Sequence, residues 1–412
     1  MSHARSTLAR PDTERVIADL RSLAAHGRCD TGVDRRALSD ADCEARRWLA
    51  ERMTDAGLTV TIDAVGNVIG RTPHARRIVV GSHTDTVPRG GWLDGALGVI
   101  AGLEVAREVA AHPGDYATGI EVVSFSDEEG HFLPMLGSKS FCGELEDSVR
   151  ASLRNTDGRL LAECLNALPE STQHPARIDP AVHVAFLELH IEQGPVLEAE
   201  GLDIGIVTHV VGAQQDRVEF RGRRNHAGTT PMGLRSDAAQ ALFRCAIGWS
   251  DACTEMRIPG AVWNVAEVAT LPSAANVVPD RGTASFQYRA REGESLNRIA
   301  HALRVNAANA AMLTRTTVSI DRVFALEPTP MNETLVAELE DNARSLGLRS
   351  RRMSSGAGHD AMVLGRHIPA AMLFVPSRGG ISHSTDEDTS LEQLARGVEV
   401  FAKATWALCN RA

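Results

Sequence analysis

Residues 79–98 read V-V-G-S-H-T-D-T-V-P-R-G-G-W-L-D-G-A-L-G. The run Ile78-Val79-Val80 that leads into them has the apolar character of a strand covered on both faces. At Gly81 it breaks into a polar loop carrying His83, Asp85 and Asp94, and the glycines at 90, 91 and 95 allow that loop to turn tightly. In open parallel sheets, chemistry collects at the carboxyl ends of the strands. A His-x-Asp at such a point suits a metal: the imidazole of His83 binds, and the carboxylate of Asp85 orients it from behind.

Working outward, helical apolar spacing covers 13–25 and 40–56, with Ser39 or Asp40 as the cap of the second helix. Short strands are predicted over 58–62 and 68–70, and a helix that is apolar nearly all round over 95–111. Residues 120–125 form another apolar strand that ends in Ser126-Asp127-Glu128-Glu129-Gly130. Residues 184–191 form a third, delivering Glu188, His190, Glu192 and Gln193, and residues 370–375 a fourth, followed by Arg378-Gly379-Gly380-Ile381-Ser382-His383-Ser384. Strand, loop and helix in alternation predict an α/β domain. After Gly205 the texture changes. Residues 206–211, 217–221, 262–269 and 283–289 alternate apolar and polar, as in an antiparallel sheet with one covered face, and helices are predicted over 236–253 and 296–312. This predicts an α+β domain at 212–329 inserted in a larger domain formed by 1–211 and 330–412.

A chain of 412 residues exceeds what one core usually organises, which agrees with two domains. The net charge of −10 argues against a nucleic-acid partner, and the densest basic patch, Arg221-Gly222-Arg223-Arg224, reads as a solvated strand end. The seven cysteines are scattered and never spaced C-x-x-C, as expected of reduced thiols. Residues 1–10 lack an apolar leader, and no apolar run reaches the length of a membrane span, so no membrane partner and a cytoplasmic location are expected.

Five candidate ligands, His83, Asp94, Glu129, His190 and His383, fall at the ends of four separate apolar strands. Three imidazoles and two carboxylates suit two divalent first-row ions, with one carboxylate shared and positions left open for water and substrate. Asp94 is the natural bridge, being a short carboxylate on a glycine-rich loop. Glu128 cannot ligate in the same orientation as Glu129 on an extended backbone, so it is assigned as general base, passing a proton from water to the leaving nitrogen.

These residues lie in stretches that together resemble a known family: 81–87 with 90–95, Asp127-Glu128-Glu129-Gly130, Glu188-Leu189-His190-Ile191-Glu192-Gln193-Gly194 and Asn225-His226-Ala227-Gly228-Thr229-Thr230-Pro231-Met232. Ala275-Asn276-Val277-Val278-Pro279, Ser355-Gly356-Ala357-Gly358-His359-Asp360 and Gly380-Ile381-Ser382-His383 complete the series. Over essentially its whole length the chain resembles the dinuclear-metal amidohydrolases that include N-carbamoyl-L-amino acid hydrolase, allantoate amidohydrolase and bacterial β-ureidopropionase, relatives of aminoacylases and dimetal carboxypeptidases. The resemblance implies a metallopeptidase-like catalytic domain with a mixed, mostly parallel sheet, and an inserted domain that acts as lid and dimerises. It implies His83, Asp94 and His190 on one ion and Asp94, Glu129 and His383 on the other; nitrogen and oxygen ligands accept zinc, manganese, cobalt or nickel, and the affinity order alone does not select among them. It also implies a substrate-carboxylate site made by Gln193, His226, Asn276, Arg289 and the backbone near Gly358, with His226 reaching the neighbouring subunit of a homodimer. His190 points to the carbamoylase branch, because peptidase relatives tend to place a carboxylate there. The expected reaction is hydrolysis of the carbamoyl C–N bond of an N-carbamoyl-L-amino acid, with allantoate or ureidoglycolate as the alternative substrates; an aminoacylase or dipeptidase is disfavoured. One departure stands out: Gln287 occupies the position, two before Arg289, where relatives usually carry Asp.

Overall fold

The computed structural model describes residues 10–411, so nearly all of the N-terminal stretch read as lacking a leader lies outside the described residues. The chain divides into two compact units: one runs through Thr208 and resumes at Pro330, and the other is His209–Thr329.

The first unit is built on a mixed sheet. Its centre is four parallel strands, in the spatial order Ala370–Val375, His183–Ile191, Arg77–His83 and Gly119–Phe125. All four are buried nearly throughout, which is why the sequence shows them as continuous apolar runs rather than alternating ones. Val68–Arg71 and Thr59–Ile62 extend one side antiparallel, and Ile204–Val210 extends the other. The helix Ala96–Ala111 packs on the strands ending at His83 and Phe125, and Leu391–Cys409 packs beside it. Asp40–Asp55 starts at Ser39, whose side chain accepts from the Asp42 N–H, as a good N-cap does. Because the four central strands run the same way, their carboxyl ends, and the loops after them, share one edge.

The second unit is an antiparallel sheet in the order Val262–Leu271, Arg281–Ala290, Gly212–Arg221 and Thr317–Leu326. The helices Ala238–Met256 and Gly293–Thr314 cover one face. At its core Trp249 meets Phe286 and Tyr288 edge-on, with ring centroids 5.1 and 6.0 Å apart, and donates its indole N–H to the Ile299 carbonyl at 3.3 Å.

Two of the departures from the sequence expectation concern strands of the two sheets. The strand expected at 206–211 was grouped by its alternation with the antiparallel strands, although it lies before 212; it pairs with Ala370–Val375 in the large sheet. Most of its residues are buried, with only Thr208 and His209 partly exposed, so alternation in the sequence did not tell which sheet the strand joins. Thr317–Leu326 was not expected as a strand at all. Its outward residues include Asp321 and Arg322, which dilute the alternation.

The role of Trp249 sets a stability expectation. Trp249→Ala should cost about 3–5 kcal/mol, read as a lowered denaturant midpoint of the transition that exposes this unit. A cost below about 1 kcal/mol would mean the unit is not organised on this side chain.

Candidate metal centre

The common edge of the four parallel strands brings the five predicted ligands together. His83 ends its strand, and His190 is the penultimate residue of its own. Each imidazole contacts a main-chain carbonyl through Nδ1, His83 that of Asp85 and His190 that of Ile191, both at 2.9 Å. A carbonyl can only accept, so Nδ1 carries a proton and Nε2 is the atom left facing the site. The expected partner of His83 was the Asp85 carboxylate, and this needs correction. The residue is right, but the atom is its backbone oxygen. The carboxylate instead accepts the N–H groups of Asp127 and Glu129, at 2.9 and 3.3 Å.

Asp94 stands at the centre. Its Oδ1 is 3.2 Å from His190 Nε2 and 3.7 Å from His83 Nε2, while its Oδ2 is 3.2 Å from His383 Nε2. The next residue has to be glycine: Gly95 caps the helix at φ +65°, and a Cβ there would overlap the His83 ring. Two trios of donor atoms, His83–Asp94–His190 and Asp94–Glu129–His383, each lie within 4.8 Å of one another and share Asp94.

The two glutamates follow the strand ending at Phe125. Asp127, at φ +59°, accepts the N–H groups of His131, Phe132 and Leu133 at 2.6–2.8 Å and so closes the loop that carries them. The backbone at 127–129 is bent, not extended, so the reason given for separating the two roles does not hold. Their neighbours separate them instead. Glu129 Oε1 lies 3.6 Å from His383 and, although buried, accepts no hydrogen bond, whereas Glu128 approaches His83 at 3.9 Å.

So many carboxylates in one dry place resist ionising together. Burial, then the charge of Asp94, pushes Glu129 up to about 9. Burial and Glu129 hold Glu128 well above the usual range. Asp94 goes the other way: burial opposes its ionisation, but the bonds from His190 and His383 overcome it. Burial likewise disfavours charge on His190, yet Asp94 lifts it to about 9. An orphaned Glu129 oxygen, and imidazoles whose Nε2 atoms face the site, are what divalent cations would satisfy in place of protons.

The predicted carboxylate-binding residues are distributed over both units. Gln193 donates to Asp94 Oδ2 at 3.0 Å and to the Ser382 hydroxyl at 3.2 Å, and Gly358 precedes His359, whose ring packs edge-on against His190 at 4.5 Å. In the second unit, His226 and Asn276 meet on a two-stranded ribbon, where Asn276 accepts the Ala227 N–H at 2.9 Å. Arg289 lies half-buried in the strand Arg281–Ala290. Gln287, in place of the usual Asp, turns to Gln215 on the neighbouring strand at 3.4 Å.

Sequence reasoning assigned no role to Glu188 or His359, although it quoted both, and it missed Glu387. Glu188 is buried and accepts from Ser82 Oγ at 2.6 Å and from the Ala361 N–H at 3.1 Å. Glu387 is 2% exposed and accepts from the main chain of Leu93 and Asp94. The one available signal for Glu188 was its place in an apolar strand. Glu387 sits in Thr385-Asp386-Glu387-Asp388, which reads as a solvated acidic turn.

A sheet edge that gathers imidazoles and carboxylates around one shared aspartate defines a candidate dinuclear hydrolase centre. Residues 79–407 match the pattern of Peptidase family M20/M25/M40, and the chain belongs to that family, whose members depend on metal ions. It is 34% identical to an N-carbamoyl-L-amino-acid amidohydrolase of Paenarthrobacter aurescens, over 98% of this chain and 99% of that one. It is 35% identical to an allantoate amidohydrolase of Bacillus subtilis, over 94% and 95%. Among solved structures, a hydantoinase/carbamoylase-family amidase from Burkholderia phymatum superposes with a TM-score of 0.89 at 39% identity, covering 97% of this chain and 98% of that one.

The raised acids give a pH expectation for the metal-free protein. Glu129 moves from 4.5 to about 9, Asp127 from 3.8 to about 8 and Glu387 from 4.5 to about 7. Between these limits the folded chain holds more protons than the unfolded one, so stability falls as pH rises. His190, raised from 6.5 to about 9, acts in the same direction: its contribution is complete below 6.5 and is lost as pH climbs through about 9. Denaturant melts in chelator should therefore give a higher midpoint near the acid end of this window than at the alkaline end. The reverse order would contradict the charge assignment.

Proposed function

We propose that the protein hydrolyses the carbamoyl C–N bond of an N-carbamoyl-L-amino acid, releasing the amino acid, CO₂ and ammonia. The observation that carries this reading is Asp94 with each of its oxygens 3.2 Å from an imidazole, those of His190 and His383, beside a buried pair of glutamates. His83, Asp94 and His190 would hold one divalent ion, and Asp94, Glu129 and His383 the other. Nitrogen and carboxylate donors suit zinc, manganese, cobalt or nickel. When bound, such ions polarise the scissile carbonyl and make water acidic enough to attack at neutral pH.

The chain's own residues then supply proton transfer and orientation. Glu128 takes a proton from the attacking water and delivers it to the departing nitrogen. Its burial among other carboxylates strengthens its hold on that proton between the two steps. Gln193, the backbone at Gly358, His226, Asn276 and Arg289 bind the substrate carboxylate; a guanidinium with amide donors fits a planar anion. Gly228 and Thr229 donate their N–H groups to His226 Nδ1 at 3.0 and 3.2 Å. The neutral ring must therefore carry its proton on Nε2, where it can donate to an anion. We assign the second unit as a lid that excludes water and as the dimerisation surface of a homodimer, with His226 completing the neighbouring subunit's site. The unpaired cysteines and the lack of any helix long and apolar enough to cross a membrane, among the described residues, are compatible with a cytoplasmic enzyme.

The carbamoyl substrate is supported by the name of the Paenarthrobacter relative and by His190, which stands where peptidase relatives tend to carry a carboxylate. The Bacillus relative favours a second reading, allantoate, which presents the same ureido group beside a carboxylate. Ammonia release from N-carbamoyl-L-amino acids, allantoate and ureidoglycolate, with the apo-protein reloaded with each metal, tests the proposal. Turnover of the carbamoyl amino acids is expected, and turnover of allantoate or ureidoglycolate alone would replace the first reading with the second.

Two variants test the roles. Glu128→Gln should keep its metal content and lose about 10²–10⁴-fold in kcat; full activity would remove Glu128 from the mechanism. Glu128→Gln and His226→Ala subunits, each inactive alone, should regain partial activity when mixed. Absence of any rescue would place His226 in the site of its own chain.

A further inference from the structure

We infer that Glu387 is a positioning residue that clamps the loop of Asp94 to the loop of His383, and thereby sets the affinity of the trio Asp94, Glu129 and His383; this rests on the two-ion reading above. Its Oε1 accepts the N–H groups of Leu93 and Asp94 at 3.2 and 3.0 Å. Its Oε2 accepts the hydroxyl of Ser382, the residue before His383, at 2.7 Å. One side chain thus ties together segments 293 positions apart in the sequence. The fit is close: Gly91 packs on the carboxylate so tightly that a Cβ at that position would overlap it. Ser382 also accepts from the Gln193 amide, whose nitrogen lies 3.0 Å from Asp94 Oδ2, so the clamp reaches the bridging oxygen by a second route.

The two trios depend on this clamp unequally. His83 and His190 are buried in strands and are fixed by bonds to main-chain carbonyls. His383 stands on a loop, its side chain 51% exposed and its backbone at φ +54°. Without Glu387 the second trio loses its alignment, while the first keeps two of its three members in place. The geometry asks for acceptors and a partner for Ser382, not for a negative charge. Glutamine supplies both, since its oxygen can accept the two N–H groups and its NH₂ can donate to the Ser382 oxygen.

The test is calorimetric titration of the metal-free protein with Mn(II) or Zn(II), alongside circular dichroism to establish folding. The unaltered protein should take up two ions per subunit. Glu387→Ala should bind the first with nearly unchanged affinity and the second about tenfold or more weakly, the loss typical when a group behind a ligand is removed. Glu387→Gln should restore the second ion. Equal affinity for both ions in folded Glu387→Ala, or equal weakening of the two, would overturn the clamp. Fewer than two ions in the unaltered protein would instead overturn the two-ion reading on which it rests. If Glu387→Ala does not fold, Ser382→Ala cuts the His383 side of the clamp alone and should weaken the second ion; unchanged binding there would equally overturn the inference.

Discussion

The carboxylate of Asp94 is drawn in opposite directions, with His190 3.2 Å from one oxygen and His383 3.2 Å from the other. That interaction joins the carboxyl ends of three adjacent central strands, Ala370–Val375, His183–Ile191 and Arg77–His83, and much of the surrounding structure keeps it in place. Parallel pairing sets His83, His190 and the Asp127–Glu129 loop at one edge. Glycine at 95 leaves room for the His83 ring, and main-chain carbonyls fix both buried imidazoles. Asp85 and Asp127 each spend their carboxylates on backbone N–H groups of the loop that presents Glu128 and Glu129.

This arrangement is unfavourable without cations. Buried carboxylates repel one another, and here Glu128 holds its proton well above the usual carboxylate range and Glu129 is pushed up to about 9. Folding therefore has to build a strained electrostatic pocket with energy gained elsewhere, chiefly from the apolar strands and the helices packed on them. Two dications would turn that repulsion into binding free energy. The same repulsion raises the proton affinity of Glu128, so the destabilising cluster and the base proposed for the reaction would be one feature.

The four central strands were legible because burial on both faces leaves an unbroken apolar run, and the chemistry was legible because it follows those runs. The five candidate ligands and Glu128 come together at one edge, as their places at strand ends suggested. Features that depend on tertiary approach were not legible. The spacing His83-x-Asp85 gives the neighbour but not the atom that touches the ring. The stretch 206–211 was grouped with the inserted sheet by its alternation, yet Ile204–Val210 pairs with Ala370–Val375 and is mostly buried, because a sequence pattern does not say which sheet covers a strand. Glu387 looked solvated among Asp386 and Asp388, and only the arrival of residues 91–94 from far away in sequence buries it. His226 and Asn276, fifty residues apart, were linked by resemblance, and the ribbon pairing supplies the physical link.

The central claim is that one aspartate is shared by two ions. Electron paramagnetic resonance of the protein loaded with two Mn(II) per subunit tests it directly, because ions about 3.5–4 Å apart that share a carboxylate are magnetically coupled. The account predicts an exchange-coupled spectrum that gives way to uncoupled or single-ion signals in Asp94→Ala. The spectrum of isolated Mn(II) in the fully loaded, unaltered protein would contradict it.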